Sequence, residues 1–355
     1  MRGPFRPSSI AAKLLMVGAA LTLLPLVGVG TASADPVAAG NLLNTVKSAD
    51  GSYIEKVESN GAQNLTIYVH SAAMNKTYPV QIQRPHDTSV PRPSLYLLNG
   101  GGGGVDDASW QLRTNALQFL ADKNINVVAP IGGPWSYYAD WRAPDPVLGV
   151  NKWKTYLTEE LPPIMDAALG ANGKNSIAGL STSGTSVLAL AESAPSLYKS
   201  VAAYSGCAQI SDPIGQEFVR LSVETYGGGN INNLYGAPND PMWAANDPLV
   251  NAEKLRGIAL YVSSGSGLPG PHETLTDPHL LVQNGNAPAS LANQVIVGGV
   301  IEAAVNYCSH NLQNKLNQIG IPATYSFPPT GTHSWGYWED DLKNSWPVIA
   351  GPLGI

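Results

Sequence analysis

The sequence predicts an α/β domain with a mostly parallel central sheet and helices on both faces. Three observations predict it. Short β-rich runs alternate with longer segments of helical apolar spacing. One run passes through a turn of small residues straight into a helix-forming segment, and another leads into five consecutive glycines.

In chain order, Ile67–Val69 and Tyr78–Ile82 read as early antiparallel strands. Leu95–Leu98, Asn126–Ile131, Ser176–Leu180, Ser200–Ser205, Ile258–Ser263 and Ala323–Phe327 read as the buried strands that follow. Trp110–Asp122, Trp153–Leu169, Thr185–Ser193 and Ala303–Ile319 carry helical spacing between them. Two stretches rich in Gly, Asn and Pro, Gln209–Asn251 and Gly265–Asn293, fit no regular element. Both follow core strands, where such sheets carry their ligands, so they are expected to wall a substrate site.

The N-terminus bounds the compartment. Arg2, Arg6 and Lys13 precede an apolar run, Leu14–Val29, which ends in Thr31-Ala32-Ser33-Ala34. That order is the pattern of a secretory signal peptide. A membrane anchor is the competing reading, but the run is short and interrupted by Pro25. Residues 1–34 are therefore expected to be removed and the protein to be secreted or held in the cell envelope. Residues 35–355 form one catalytic domain, with 35–66 an extension of unknown role.

Cleavage would remove three bases and no acids from a chain of 20 bases and 26 acids, moving the net charge from -6 to -9. Nucleic acid, which needs a cationic surface, is not an expected partner. The two cysteines, Cys207 and Cys308, are expected to pair outside the cytosol. Their bridge would tie the loop after a core strand to the helix before the last one. The six histidines are scattered without ligand spacing, so no metal and no other cofactor is expected.

The sharpest local signal is Ala178-Gly179-Leu180-Ser181-Thr182-Ser183-Gly184, between a strand and a helix. A nucleophile held on so sharp a turn needs small neighbours two positions away, and Gly179 and Ser183 are small. The strict G-x-S-x-G pattern has Gly where Ser183 stands. Ser181 is the expected nucleophile, and Ser183 is the weaker competitor because it falls inside the helix start. The Thr182 amide then supplies one half of an oxyanion hole at a helix N-terminus. The other half is expected from Gly101, in the run Gly100–Gly104 after Leu98-Asn99. A phosphate loop is excluded, because no G-K-[ST] follows the glycines.

A serine nucleophile needs a base, and the base an acid to hold its tautomer. His333, in Pro328-Pro329-Thr330-Gly331-Thr332-His333-Ser334-Trp335 just past the last strand, stands where this fold carries its catalytic histidine. His272, His279 and His310 are less favourably placed. For the acid the residues leave several choices open: Asp247, Glu253, Glu273, Asp277 and Glu302 all lie between Ser181 and His333. Glu302 sits among apolar residues, where a carboxylate needs a partner. Asp277 and Glu273 lie on the loop after a strand, the placement usual in hydrolases.

Several segments together resemble the mycolyltransferases of the antigen 85 family. They are Tyr96-Leu97-Leu98-Asn99-Gly100 with Asp106-Asp107 and Trp110; Gly132-Gly133 with Tyr138-Ala139-Asp140-Trp141; Lys152–Pro162; Gly179-Leu180-Ser181; Trp243 with Asn246-Asp247-Pro248; and Phe327–Trp335 with Tyr337-Trp338. The resemblance implies an α/β-hydrolase fold and a Ser-Glu-His triad whose acid lies about thirty residues before the histidine, which points to Glu302. It also implies transfer of mycolic acyl groups between trehalose esters, or to cell-wall arabinogalactan, through an acyl-enzyme outside the cytoplasmic membrane. Trehalose mycolates or related acyl glycolipids are then the expected substrates. Asn99, Gly102, Asp140 and Trp335 are the expected substrate-binding positions, with Trp335 a surface on which sugar could stack. Asn99 stands where the family commonly has an Asp that contacts trehalose, and Gly102 replaces an Arg, so sugar recognition is expected to differ. A carboxylesterase with water as acceptor is the alternative, and a non-catalytic secreted binding protein a third.

Overall fold

The structure, a computed structural model, describes residues 46–355. The expected signal segment lies outside the described residues. Nine strands form one sheet in the order β1-β2-β3-β5-β4-β6-β7-β8-β9. The strands are β1 (Tyr53–Ser59), β2 (Asn64–Ser71), β3 (Lys76–Gln83), β4 (Ser94–Leu98), β5 (Asn126–Pro130), β6 (Asn175–Leu180), β7 (Tyr198–Tyr204), β8 (Ala259–Ser263) and β9 (Thr324–Ser326). The first three are an antiparallel meander joined antiparallel to β5, and every later pairing is parallel. The early strands alternate exposed and buried residues. Strands β4, β5 and β6 are buried throughout, as strands covered on both faces must be.

Strand β1 was not anticipated. Its only buried residue is Ile54, because it is an edge strand with one partner, so its pattern is mostly polar. Part of the 35–66 extension is thus sheet.

The helices that matter here are α1 (Trp110–Arg113), α2 (Ala116–Leu120), α3 (Leu161–Leu169), α4 (Thr182–Ser193), α5 (Pro213–Arg220), α6 (Ile231–Tyr235), α7 (Pro241–Ala245), α8 (Ala287–Asn293), α9 (Gly299–Gln318) and α10 (Trp335–Ala350). One face of the sheet packs Ile164 and Met165 of α3, Val187 of α4 and Leu312 of α9 against Tyr96, Leu98 and Ile177. The other packs Ala116 and Leu120 of α2 and Leu342 and Ile349 of α10 against Leu95, Leu97 and Ala178. The expected helix Trp110–Asp122 is broken at Thr114-Asn115, and α10 was not expected at all.

The stretch Gln209–Asn251 is not irregular. It folds into α5, α6 and α7, each opened by an Asp or Asn side chain that accepts from the first-turn amides: Asp212, Asn230 and Asp240. These helices share a small core of their own, with Val219, Leu234 and Trp243 packed on Tyr137 and Trp141. Asp247 pins the stretch by accepting from the amides of Ile210, Ser211, Leu249 and Val250. The cysteines are joined, Cys207 to Cys308, across 101 positions. The bridge fixes the segment after β7 to α9.

Candidate active site

Ser181 stands between β6 and α4 with φ 57° and ψ -126°, outside the regions an L-residue ordinarily adopts. Such strain costs about 1–3 kcal/mol and persists only when the surroundings impose it. Here they do. Its amide donates to Tyr204 O at 2.9 Å on the neighbouring strand. A Cβ on Gly179 would lie 2.6 Å from Ser183 Oγ, and one on Gly184 would lie 2.6 Å from Tyr204 O. Ser183 is fully buried and braces the turn: its hydroxyl accepts from Leu180 N at 2.8 Å and donates to Leu180 O at 2.9 Å. It is thereby excluded as nucleophile.

Three expected residues are brought into one line. Ser181 Oγ lies 2.8 Å from His333 Nε2, and His333 Nδ1 lies 2.7 Å from Glu302 Oε2. Glu302 enters from the first turn of α9 and is 1% exposed. Its second oxygen accepts from Ser205 Oγ at 2.8 Å and from Gly265 N at 2.7 Å. These bonds offset the cost of burying the carboxylate. The backbone of His333 is fixed by donation to Gly298 O at 3.1 Å.

The remaining acids have other duties. Asp247 holds its loop, and Glu253 pairs with Arg256 at the surface. Glu273 accepts from Thr332 Oγ1 and Tyr337 OH, both at 2.6 Å, and so ties the 264–286 loop to the His333 segment. Asp277 bonds His272 and His279. His310 sits on α9, bonded to Asn306 O.

Two residues escaped the sequence reading. Ser205 has φ 49° and bridges Glu302 and Trp338, whose indole Nε1 donates to Ser205 Oγ at 3.0 Å. Trp338 also sets its ring edge-to-face with His333 at 4.9 Å. A polar residue at the end of the strand after the elbow, beside a small Gly206, was the available signal.

The glycine run comes beside the nucleophile. A Cβ on Gly100 would lie 3.5 Å from Ser181 Cβ. Gly101 O accepts from Trp135 N, which aligns this peptide, and among the described residues Gly101 N makes no backbone hydrogen bond. The Thr182 amide opens α4 and has no partner within the helix. Among the described residues neither amide has a backbone hydrogen-bond partner. Trp135 lies against Gly101 and stacks on Tyr226 at 5.4 Å, forming an aromatic wall.

The expected substrate-binding set needs correction. Asn99 is 1% exposed, and its Oδ1 accepts from Trp110 N at 3.0 Å, so it anchors α1. Both oxygens of Asp140 are taken by Thr155, at 3.1 Å from its amide and 2.7 Å from its hydroxyl. Trp335 is 6% exposed and packed edge-to-face between Trp110 and Trp338, so it is a core residue with no face for sugar. Gly102 stays at the loop, but the Asp106 carboxylate fills the space a side chain there would take. Sequence position could not tell which of these point inward.

Comparison with known proteins places this geometry. A family model described as "Putative esterase" matches residues 71–347. The diacylglycerol acyltransferase/mycolyltransferase Ag85A of Mycobacterium leprae is 31% identical over 295 residues, covering 81% of this chain and 83% of that protein. Ag85B of the same organism is 29% identical over 346 residues, 96% of this chain and 94% of its own. Among solved structures, Mycobacterium tuberculosis MPT51 (FbpC1) aligns with a TM-score of 0.66 at 25% identity, over 82% of this chain and all of that one. The Staphylococcus aureus serine hydrolase FphF aligns at 0.57 with 16% identity over 82% of this chain and 98% of its own, a likeness of fold. With its α/β-hydrolase fold and serine elbow, the chain belongs to this esterase family, on the branch that includes the Ag85 mycolyltransferases.

Proposed function

We propose that the protein is a secreted serine acyltransferase that moves mycolyl-type acyl groups between trehalose esters, or onto cell-wall glycan, through an acyl-enzyme on Ser181. The observation that carries this reading is the unbroken line Ser181–His333–Glu302. His333 Nε2 accepts the hydroxyl proton as Ser181 Oγ attacks the ester carbonyl. Glu302 holds the proton on Nδ1 and stabilises the imidazolium that forms. The amides of Gly101 and Thr182 receive the oxyanion. His333 returns the proton to the departing sugar oxygen, leaving an ester on Ser181. A second sugar hydroxyl, deprotonated by His333, attacks that ester and carries the acyl group away, and His333 returns the proton to Ser181 Oγ as the old ester bond breaks.

The relatives' names support the acyl chemistry and its glycolipid substrates. The Cys207–Cys308 bridge supports an oxidising compartment, in keeping with the signal pattern at residues 1–34. The reading is tested by mass spectrometry of the protein incubated with trehalose monomycolate and then free trehalose. An adduct on Ser181 that trehalose removes as an acylated product is expected. An equal adduct on Ser181→Ala would overturn it.

A second reading, an esterase with water as acceptor, is favoured by one observation. Asn99 and Asp140 are committed to the fold, and Asp106 occupies the space beside Gly102, so these positions offer sugar little. Clearance of the adduct in water as fast as with trehalose would support it.

A further inference from the structure

The loop between β8 and α8 holds a second constellation, separate from the relay. His272, Asp277 and His279 present ligand atoms that all lie within 4.8 Å of one another. His272 Nδ1 is 2.7 Å from Asp277 Oδ2, and His279 Nδ1 is 3.0 Å from Asp277 Oδ1. The outer nitrogens are equally engaged: His272 Nε2 lies 2.9 Å from Asp340 Oδ2, and His279 Nε2 lies 2.9 Å from Glu339 Oε2. We propose that His272, Asp277 and His279 form a binding site for a divalent transition metal ion of the zinc class, which clasps this loop to α10.

The argument begins with the outer carboxylates. A carboxylate only accepts, so Asp340 and Glu339 each fix a proton on Nε2 of the facing ring. Both Nδ1 atoms converge on the oxygens of Asp277, so one cation placed there would reach all three side chains. Two imidazoles and one carboxylate suit zinc, with an outer carboxylate behind each ring orienting it and raising its basicity.

The surroundings are shaped for these rings. The His272 ring lies so close to α10 that any Cβ on Gly336 would collide with it, and it meets the Tyr337 ring edge-on at 4.7 Å. The two imidazoles stand at 90° with centroids 5.6 Å apart, so they approach one point from different directions. The side chains of His272, Asp277 and His279 are 16%, 8% and 14% exposed, which shelters the site yet leaves an entry. Glu339 is itself held by Asn115 N and Lys343 Nζ. The spacing H-x4-D-x-H is not by itself a recognisable ligand motif, because the carboxylates that orient its rings come from α10, sixty residues away.

The consequence is positional. Helix α10 starts two residues after His333, and the same loop carries Glu273, which holds Thr332. A metal here would stiffen the segment that presents the general base without touching the reacting atoms.

The test is metal binding by the whole mature protein, stripped with chelator and titrated with Zn2+, and with Co2+ as a spectroscopic stand-in. One equivalent per chain is expected, with a raised Tm and the visible absorption of low-coordinate Co2+. His279→Gln and Asp277→Asn should each abolish binding, and Asp340→Asn should weaken it about 10–100-fold. Fluorophosphonate labelling of Ser181 reports whether each variant is folded. Failure of the folded wild-type protein to bind either ion overturns the proposal, since the rings are then bridged by protons alone. Binding undiminished in folded His279→Gln overturns it equally, because the ion then sits elsewhere.

Discussion

Ser205 Oγ lies 2.8 Å from Glu302 Oε1, on the side of the carboxylate opposite His333. The hydroxyl accepts from the Trp338 indole N–H and donates its own O–H to Glu302, so the acid is aimed from behind. Removing it takes away a hydrogen bond to a buried charge, a loss of about 1.5–3 kcal/mol. Ser205→Ala should therefore lower kcat by about 10–100-fold with KM little changed. Glu302→Gln should cost far more, about 10³–10⁴-fold by analogy with the triad in which that exchange fixes the wrong tautomer. Steady-state kinetics on a short-chain ester would check both. A Ser205→Ala enzyme with unchanged kcat would show that Gly265 N alone orients the acid.

The glycine loop predicts a contrast between neighbours. At Gly102 a new Cβ meets the Asp106 carboxylate, which is the end of an exposed, flexible side chain that can swing away. At Gly103 it meets the Gly132 carbonyl, which cannot, and φ is +64°. Gly102→Ala should change stability by less than about 1 kcal/mol, whereas Gly103→Ala should cost about 2–4 kcal/mol and distort the oxyanion loop. Urea denaturation of the two variants is the comparison, and equal midpoints would contradict it. Gly102→Arg, partnered by Asp106, should lower KM for trehalose if sugar binds above this loop.

What was legible in the sequence was local. Residues 178–184 announced a strand-turn-helix because steric demands on such a turn involve neighbours only two positions away. Gly100–Gly104 and the His333 segment were readable for the same reason. The acid was not, because Glu302 and His333 meet only after α9 and the last strand are placed, and only family resemblance singled it out. Asn99, Asp140 and Trp335 were misread because a sequence does not say which polar or aromatic side chain turns inward. The helices within 209–251 were overlooked although Asp212-Pro213 and Asp240-Pro241 carried the signature of an N-cap followed by Pro at the first helical position.

The disulfide couples stability to the site. Cys308 lies on α9, the helix that carries Glu302, and Cys207 lies two residues beyond Ser205. Closing a loop of this length is worth about 2–5 kcal/mol. The Cys207→Ser/Cys308→Ser double variant should lose that stability, and its activity should decline at a lower temperature than its far-ultraviolet signal, since α9 can shift before the sheet melts. Coincident loss of both signals would show that α9 is held by its core contacts instead.

Glu192 gives a pH dependence that can be isolated. It lies at the C-terminal end of α4, 5% exposed, and among the described residues its Oε1 has no hydrogen-bond partner. Burial pushes its carboxyl up to about 9, opposed by the charge of Lys254 and assisted by that of Asp247. In the unfolded chain it ionises near the ordinary glutamate value of about 4.3. Between those values the folded protein holds a proton that the unfolded chain releases. The contribution to stability is therefore complete below about pH 4, falls as pH rises and is exhausted above about 9, by at most about 1.4 kcal/mol per unit. Glu192→Gln is neutral throughout and escapes the loss. Thermal midpoints of the two proteins should nearly coincide at pH 4.5 and separate steadily toward pH 9, with the variant the more stable. Every other titrating group is common to both, so the difference reports Glu192 alone. Parallel profiles would mean that the carboxylate already finds water or Lys254 in solution and is charged at neutral pH.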